Sequence, residues 1–201
     1  EQMDRQIHTR KQLEDIVGSS CLAVLPTLAP KASGLGKRWS RKDQGAFEQI
    51  SQIEPFSETA EALRYIKVAI DLHPAGCKVI GIVSALPGEG KTTVAAGFAA
   101  FVASGGGRTL LIDADLRNPT MTNTLGYADT PGLLDMVADK SSFEDLVITD
   151  TRHKFDFLPS STRIRPSNSS DILTSPTMKQ MLKTARNSYD YVLVDLPPIL
   201  P

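Results

Sequence analysis

Cysteine is scarce in this chain: Cys21 and Cys77 are its only two among 201 residues. They form no C-x-x-C pair and have no histidine at ligand spacing, so neither a zinc site nor a disulfide framework is indicated, and a reducing compartment fits best. Long apolar runs are also missing. None approaches the roughly 20 residues that span a bilayer, and no signal peptide opens the sequence, so the chain as given is expected to be soluble. Neither sign of charge dominates, with 22 Lys and Arg against 23 Asp and Glu and a formal net charge of −1. That balance gives no global push toward nucleic acid or membrane, and no nucleic-acid partner is expected. One local patch, Lys31, Lys37, Arg38, Arg41 and Lys42 ahead of Asp43, reads either as a solvated basic linker or as a contact for anionic lipid.

What is present is enough for one globular domain: 41% of the residues are hydrophobic, which suffices for a buried core at this length. Residues 1–20 are polar, with Ile7, Leu13, Ile16 and Val17 too sparse to define a strong amphipathic helix. Cys21 to Pro26 reads as a short apolar strand, and Thr27 to about Pro55 as a linker rich in Pro, Gly, Ser and basic residues. A helix is expected from Ser57, a suitable N-cap, because Leu63, Ile66 and Ile70 recur at helical spacing until His73-Pro74. Lys78 to Ser84, Thr109 to Ile112 and Tyr191 to Val194 are nearly continuous apolar runs, the pattern of strands buried on both faces of a parallel sheet. Helices are expected at Thr92–Ala103, Leu133–Val137, Phe143–Val147 and Thr177–Arg186, with a further strand at Phe155–Leu158. The alternation argues for an α/β fold whose ligands gather at the carboxyl ends of the strands.

Three segments at those ends carry chemistry. Ala85-Leu86-Pro87-Gly88-Glu89-Gly90-Lys91-Thr92 fits the phosphate-binding-loop pattern except that Ala85 stands where a glycine is usual. A strand precedes it and a helix follows, so backbone N–H groups converge on an anion, Lys91 can reach the β- and γ-phosphates, and Thr92 can offer its hydroxyl to Mg²⁺. Asp195 ends the strand Tyr191 to Val194 as a metal-holding acid should. Asp113 and Asp115 end another strand, and alternation puts both on one side if the extended geometry persists. They read either as two acids at one metal, one holding Mg²⁺ and the other accepting a proton from an incoming hydroxyl, or as a capped turn at a strand end.

Taken together, the blocks Ala85–Thr92, Leu110-Leu111-Ile112-Asp113-Ala114-Asp115-Leu116-Arg117 and Val192-Leu193-Val194-Asp195-Leu196-Pro197-Pro198 resemble the Walker A, Walker A′ and Walker B triplet of bacterial tyrosine kinases. These are the cytoplasmic kinase domains of polysaccharide co-polymerases. The resemblance implies a P-loop NTPase fold of the deviant Walker A branch, a mostly parallel sheet flanked by helices and truncated at the C-terminus. It divides the chain into a juxtamembrane segment and basic linker over 1–55 and a kinase domain over 56–201, on the cytoplasmic side of the bacterial inner membrane. It implies ATP and Mg²⁺ as cofactors, with nucleotide held by Pro87, Gly88, Glu89, Gly90, Lys91, Thr92 and Thr93. Metal falls to Thr92, Asp115 and Asp195, and catalysis to Lys91, Asp113 and Asp115.

Glu61, Arg64 and Lys67 match the family's E-x-x-R-x-x-R motif, which joins neighbouring subunits of a homo-oligomeric ring. Lysine in the last place keeps the charge but loses a bidentate fork. The membrane and periplasmic co-polymerase region of the same protein or a partner would complete the assembly. The activity so implied is ATP-dependent tyrosine autophosphorylation that regulates exopolysaccharide or capsule polymerisation and export. Tyr189 and Tyr191, at the start of a core strand, read as packing residues rather than phosphoacceptors. Two other readings stand beside it. One is a positioning or partitioning ATPase, whose signature lysine would occupy the place of Leu86; the other is a nucleotide-sensing regulator that transfers no phosphate.

Overall fold

The computed structural model describes residues 9–26, 54, 56–74, 76–138, 141–161 and 168–200. The basic patch at 31–42 and nearly all of the expected linker lie outside the described residues. Five strands, β1 (Lys78–Ile82), β2 (Thr109–Asp113), β3 (Ile148–Asp150), β4 (Phe155–Leu158) and β5 (Tyr191–Asp195), form one sheet in the order β1-β5-β2-β4-β3. All neighbours are parallel except β3, which runs antiparallel to β4. The α/β architecture with a mostly parallel sheet flanked by helices is therefore as expected.

Alternation along the central strands builds two cores. On one face Leu111, Phe157, Tyr191 and Leu193 pack with α2 (Glu58–Asp71) and α3 (Lys91–Ser104). Leu110, Ile112, Leu158, Val192 and Val194 point the other way, against α5 (Leu133–Val137), α6 (Phe143–Leu146) and α8 (Pro176–Ser188). Every residue of β2 and β5 is buried, which is why their sequences are continuously apolar rather than alternating. Helix α3 reaches the sheet closely because its inner face is made of Ala95, Ala96, Ala99 and Ala100. The Ser57 side chain accepts a hydrogen bond from Ala60 N and caps α2 as expected.

Five segments depart from expectation. Residues Arg10–Val17 form α1, although none of its side chains is buried. A reciprocal cap between Thr9 and Gln12 and a left-handed Gly18 at its end hold the helix, so local hydrogen bonding does what apolar spacing does not. Cys21–Pro26 is irregular rather than a strand, with Leu25 packed, like Ile66, Ile70 and Ile80, against the buried core on the α2 and α3 face. Helices α4 (Thr120–Leu125) and α7 (Ser169–Leu173), and strand β3, had no periodic signal long enough to read. Close packing also fixes one turn: a Cβ on Gly132 would sit 2.1 Å from the carbonyl oxygen of Pro159, and the next amide, Leu133 N–H, donates to that same oxygen.

Candidate active site at three strand ends

Strand β1 runs into the loop 83–90, whose shape is set by its own side chains and glycines. Gly88 and Gly90 adopt φ of 82° and 89°, in the left-handed region that a side chain would strain. The Glu89 carboxylate accepts from Ala85 N at 2.9 Å and Leu86 N at 3.1 Å, so Glu89 locks the loop to its own start instead of facing a ligand. Gly90 begins α3 without a side-chain cap. The first-turn N–H groups of that helix are thus left for an anion, which the helix dipole also favours.

Three strand ends meet beside this loop. Lys91 Nζ lies 3.0 Å from Asp115 Oδ2 and 3.2 Å from Asp195 Oδ1. The Thr92 hydroxyl donates to Asp195 Oδ2 at 2.7 Å. All three charged groups are nearly enclosed, with side-chain exposures of 9% for Lys91, 6% for Asp115 and 1% for Asp195. Burial pushes the Asp195 carboxyl up, against the Thr92 hydrogen bond and the Lys91 charge. Burial alone would lower Lys91, but Asp195 and Asp115 outweigh it and hold its ammonium above the ordinary lysine range.

The site opens into a cavity of about 330 Å³. Pro87, Gly88, Gly90, Lys91, Thr92 and Thr93 form its loop side; Asp115, Arg117, Asn118 and Thr120 form the β2 side; Pro197 and Pro198 complete it. The segment carrying those prolines is tied to the loop, since Ile199 N donates to Ser84 O and Leu200 N to Ala85 O. Thr92, Asp115 and Asp195 offer a hydroxyl and two carboxylates. Such hard oxygen donors, few in number, suit a Mg²⁺ ion that keeps waters and takes phosphate oxygens.

Asp113 stands apart from this arrangement. Strand β2 stops at Asp113, so the alternation that would align it with Asp115 does not continue. Its carboxylate turns to α4, accepting from Thr122 N at 2.9 Å and the Thr122 hydroxyl at 2.7 Å, and from Asp115 N at 3.2 Å. Fully enclosed, it is pushed up to about 7 by burial, which outweighs the Thr122 hydrogen bonds. Both of its oxygens are taken up by Thr122 and the Asp115 amide, a position suited to anchoring the β2 turn. The hydroxyl of Thr122 also accepts from Ser160 N at 3.0 Å, joining β2, α4 and the end of β4. No motif in the sequence points to Thr122, whereas Arg117 closes the second block.

Glu61, Arg64 and Lys67 lie on α2, away from the cavity. Arg64 pairs with Glu61 on the exposed surface. Lys67 reaches Asp71 at 2.5 Å and sits 5.5 Å over the ring of Tyr191. Both tyrosines read as packing residues are engaged through their hydroxyls: Tyr189 donates to Asp156 at 2.8 Å and Tyr191 donates to Asp71.

Residues 77–201 match the family model described as an AAA domain. The succinoglycan biosynthesis transport protein ExoP of Rhizobium meliloti (strain 1021) is 35% identical over 98% of this chain, which spans 28% of that relative. The tyrosine-protein kinase YwqD of Bacillus subtilis (strain 168) is 38% identical over 80% of this chain, and 69% of YwqD is covered. Among solved structures, the kinase domain of Escherichia coli tyrosine kinase ETK superposes with a TM-score of 0.77 at 27% identity, covering 96% of this chain and 73% of that one. The chain thus spans less than a third of the first curated relatives it matches but most of the compact kinase domains. The chain belongs to the AAA-domain family and, among its members, to the bacterial tyrosine kinases.

Proposed function

We propose that this chain binds Mg-ATP and transfers its terminal phosphoryl group to a tyrosine hydroxyl on a neighbouring polypeptide. The observation that carries the proposal is the meeting of Lys91, Thr92, Asp115 and Asp195 within 2.7–3.2 Å at one mouth. Loop amides 88–92 and the α3 N-terminus cradle the phosphates. Lys91 leaves its two acids to meet them, and Thr92 with Asp195 holds the metal, which supplies neutralisation of phosphate charge when bound. Asp115 is the carboxylate left facing the cavity once Asp113 is committed to Thr122. It orients the tyrosine hydroxyl and takes its proton, and positioning with charge neutralisation supplies most of the rate.

The names of the relatives extend the proposal to its setting. A kinase at the cytoplasmic face of the inner membrane would modify tyrosines of the next subunit in a ring joined through Glu61, Arg64 and Lys67. In doing so it would regulate exopolysaccharide or capsule polymerisation and export. Leu86 stands where partitioning ATPases carry their signature lysine, which favours the kinase reading over that branch.

Incubating the folded chain with Mg-ATP and a tyrosine-rich peptide should yield phosphotyrosine, and Asp115→Asn should slow its formation by about 100-fold or more. A sample that binds Mg-ATP yet makes no phosphotyrosine would refute the kinase. Hydrolysis coupled to nucleotide-dependent dimers would then support the positioning ATPase, and binding without turnover the sensor.

A further inference from the structure

Arg117 lines the cavity but has no part in the arrangement of Lys91, Thr92, Asp115 and Asp195. It is exposed, and its guanidinium makes no ion pair or hydrogen bond with any of the described residues. Lys91, the other cation of the lining, is already shared between two buried acids. The cavity therefore holds one cation matched by protein and one that is not.

The order of the strands says which part of a nucleotide that unmatched cation would meet. The loop follows β1, Asp195 ends β5 and Asp113 ends β2, so the strand ends run loop, Asp195, β2, and Arg117, four residues beyond β2, lines the cavity together with its neighbours Asp115, Asn118 and Thr120. Strands are spaced by about 4.8 Å, which puts β2 roughly 10 Å from β1. A phosphate seated on the loop amides is held at the β1 end of that row. The next phosphate, pointing away from the loop, is the one that approaches the β2 side. A guanidinium presents a planar fork that fits the oxygens of a terminal phosphate, unlike the point charge of a lysine.

We infer that Arg117 contacts the terminal phosphate of a bound nucleoside triphosphate, so that this one residue makes the site distinguish triphosphate from diphosphate. The inference rests on reading the cavity as the phosphotransfer site. Its chemistry adds to that reading: charge on the terminal phosphoryl group is met by Arg117 in the same subunit, without a cation borrowed from a neighbour. Because the side chain is exposed in the free protein, its contribution is reserved for the loaded site and adds little to folding.

Calorimetric titration of the 201-residue chain with Mg-ADP and with Mg-AMP-PNP, a non-hydrolysable triphosphate, tests it. The wild type should prefer the triphosphate by roughly tenfold or more, and Arg117→Ala should erase that preference while leaving Mg-ADP affinity within about twofold. Arg117→Lys should restore part of it, since charge returns without the fork. An Arg117→Ala protein that keeps the wild-type preference would overturn the inference. Equal losses for both nucleotides would do so as well, because they would mark a general or structural role. If the wild type shows the preference, and loses it in Arg117→Ala, yet makes no phosphotyrosine, the kinase reading falls and the Arg117 contact stands. If the wild type binds neither nucleotide, both fall.

Discussion

Thr122 shows how one small side chain can decide the roles of two acids. Its hydroxyl donates to Asp113 and accepts from Ser160 N, and its amide donates to Asp113 too. Thr122→Val keeps the shape but removes the hydroxyl, leaving the buried Asp113 carboxylate and the Ser160 amide each short of a partner. We expect a loss of about 2 kcal/mol or more in urea unfolding, with Mg-nucleotide affinity falling less than stability because Asp113 does not line the cavity. Asp115, two residues on, faces the cavity instead. The acidic pair was legible in the sequence, but its division of labour was not: period-two arithmetic holds only while the strand lasts, and β2 ends at Asp113. The reciprocal signal from Thr122 was invisible because a threonine in Thr-Met-Thr-Asn-Thr looks like any other until the fold brings Asp113 to it. Lys91, Thr92 and Asp195 were legible because a loop motif and a strand-ending acid each carry their own context.

At the scale of elements, legibility follows length and burial. The apolar runs of β1, β2 and β5 declare buried parallel strands, and Phe155–Leu158 and Leu133–Val137 appear where their patterns put them. Strand β3 has three residues and exists through its antiparallel pairing with β4, so nothing local announces it. The turn joining them is held by Asp150, which accepts from Arg152 N at 2.9 Å and His153 N at 3.1 Å, while His153 Nδ1 lies 3.1 Å from its other oxygen. Burial alone would raise the Asp150 carboxyl, but its contacts with His153, together with the Arg152 amide, outweigh it and hold it below its ordinary value. A carboxyl lowered by folding stabilises the native state above its unfolded pKa, near about 4, and that stability fades as the pH falls through the lowered folded value. Asp150→Ala should therefore cost about 1–2 kcal/mol at neutral pH, and less and less as the pH drops below about 4, in unfolding curves measured from pH 7 to pH 3.

For the molecule as a whole, the site is a property of sheet order rather than of any one segment. Placing β5 between β1 and β2 brings Asp195 to the centre of the row, with the loop on one side and Asp115 on the other. Two core clusters, one on each face, clamp this sheet. The loop's position is further tied to the chain beyond Asp195 by the Ile199 and Leu200 amides. Sequence alone proposed that three strand ends meet, and the parallel register of β1, β5 and β2 is how they do so.

The same register makes Lys91 a structural counterion before any nucleotide arrives, lying between two enclosed carboxylates that would otherwise face each other uncompensated. The substitution most often chosen to silence such a loop, lysine to methionine, would therefore also strip the charge partner from Asp115 and Asp195. We expect Lys91→Met to lower the melting temperature by several degrees, since stranding a buried charge costs about 3–5 kcal/mol, and Lys91→Met with Asp195→Asn to recover part of the loss. An inert Lys91→Met sample would then report on an unsettled fold as much as on a vanished phosphate contact, and its melting curve beside that of the wild type separates the two.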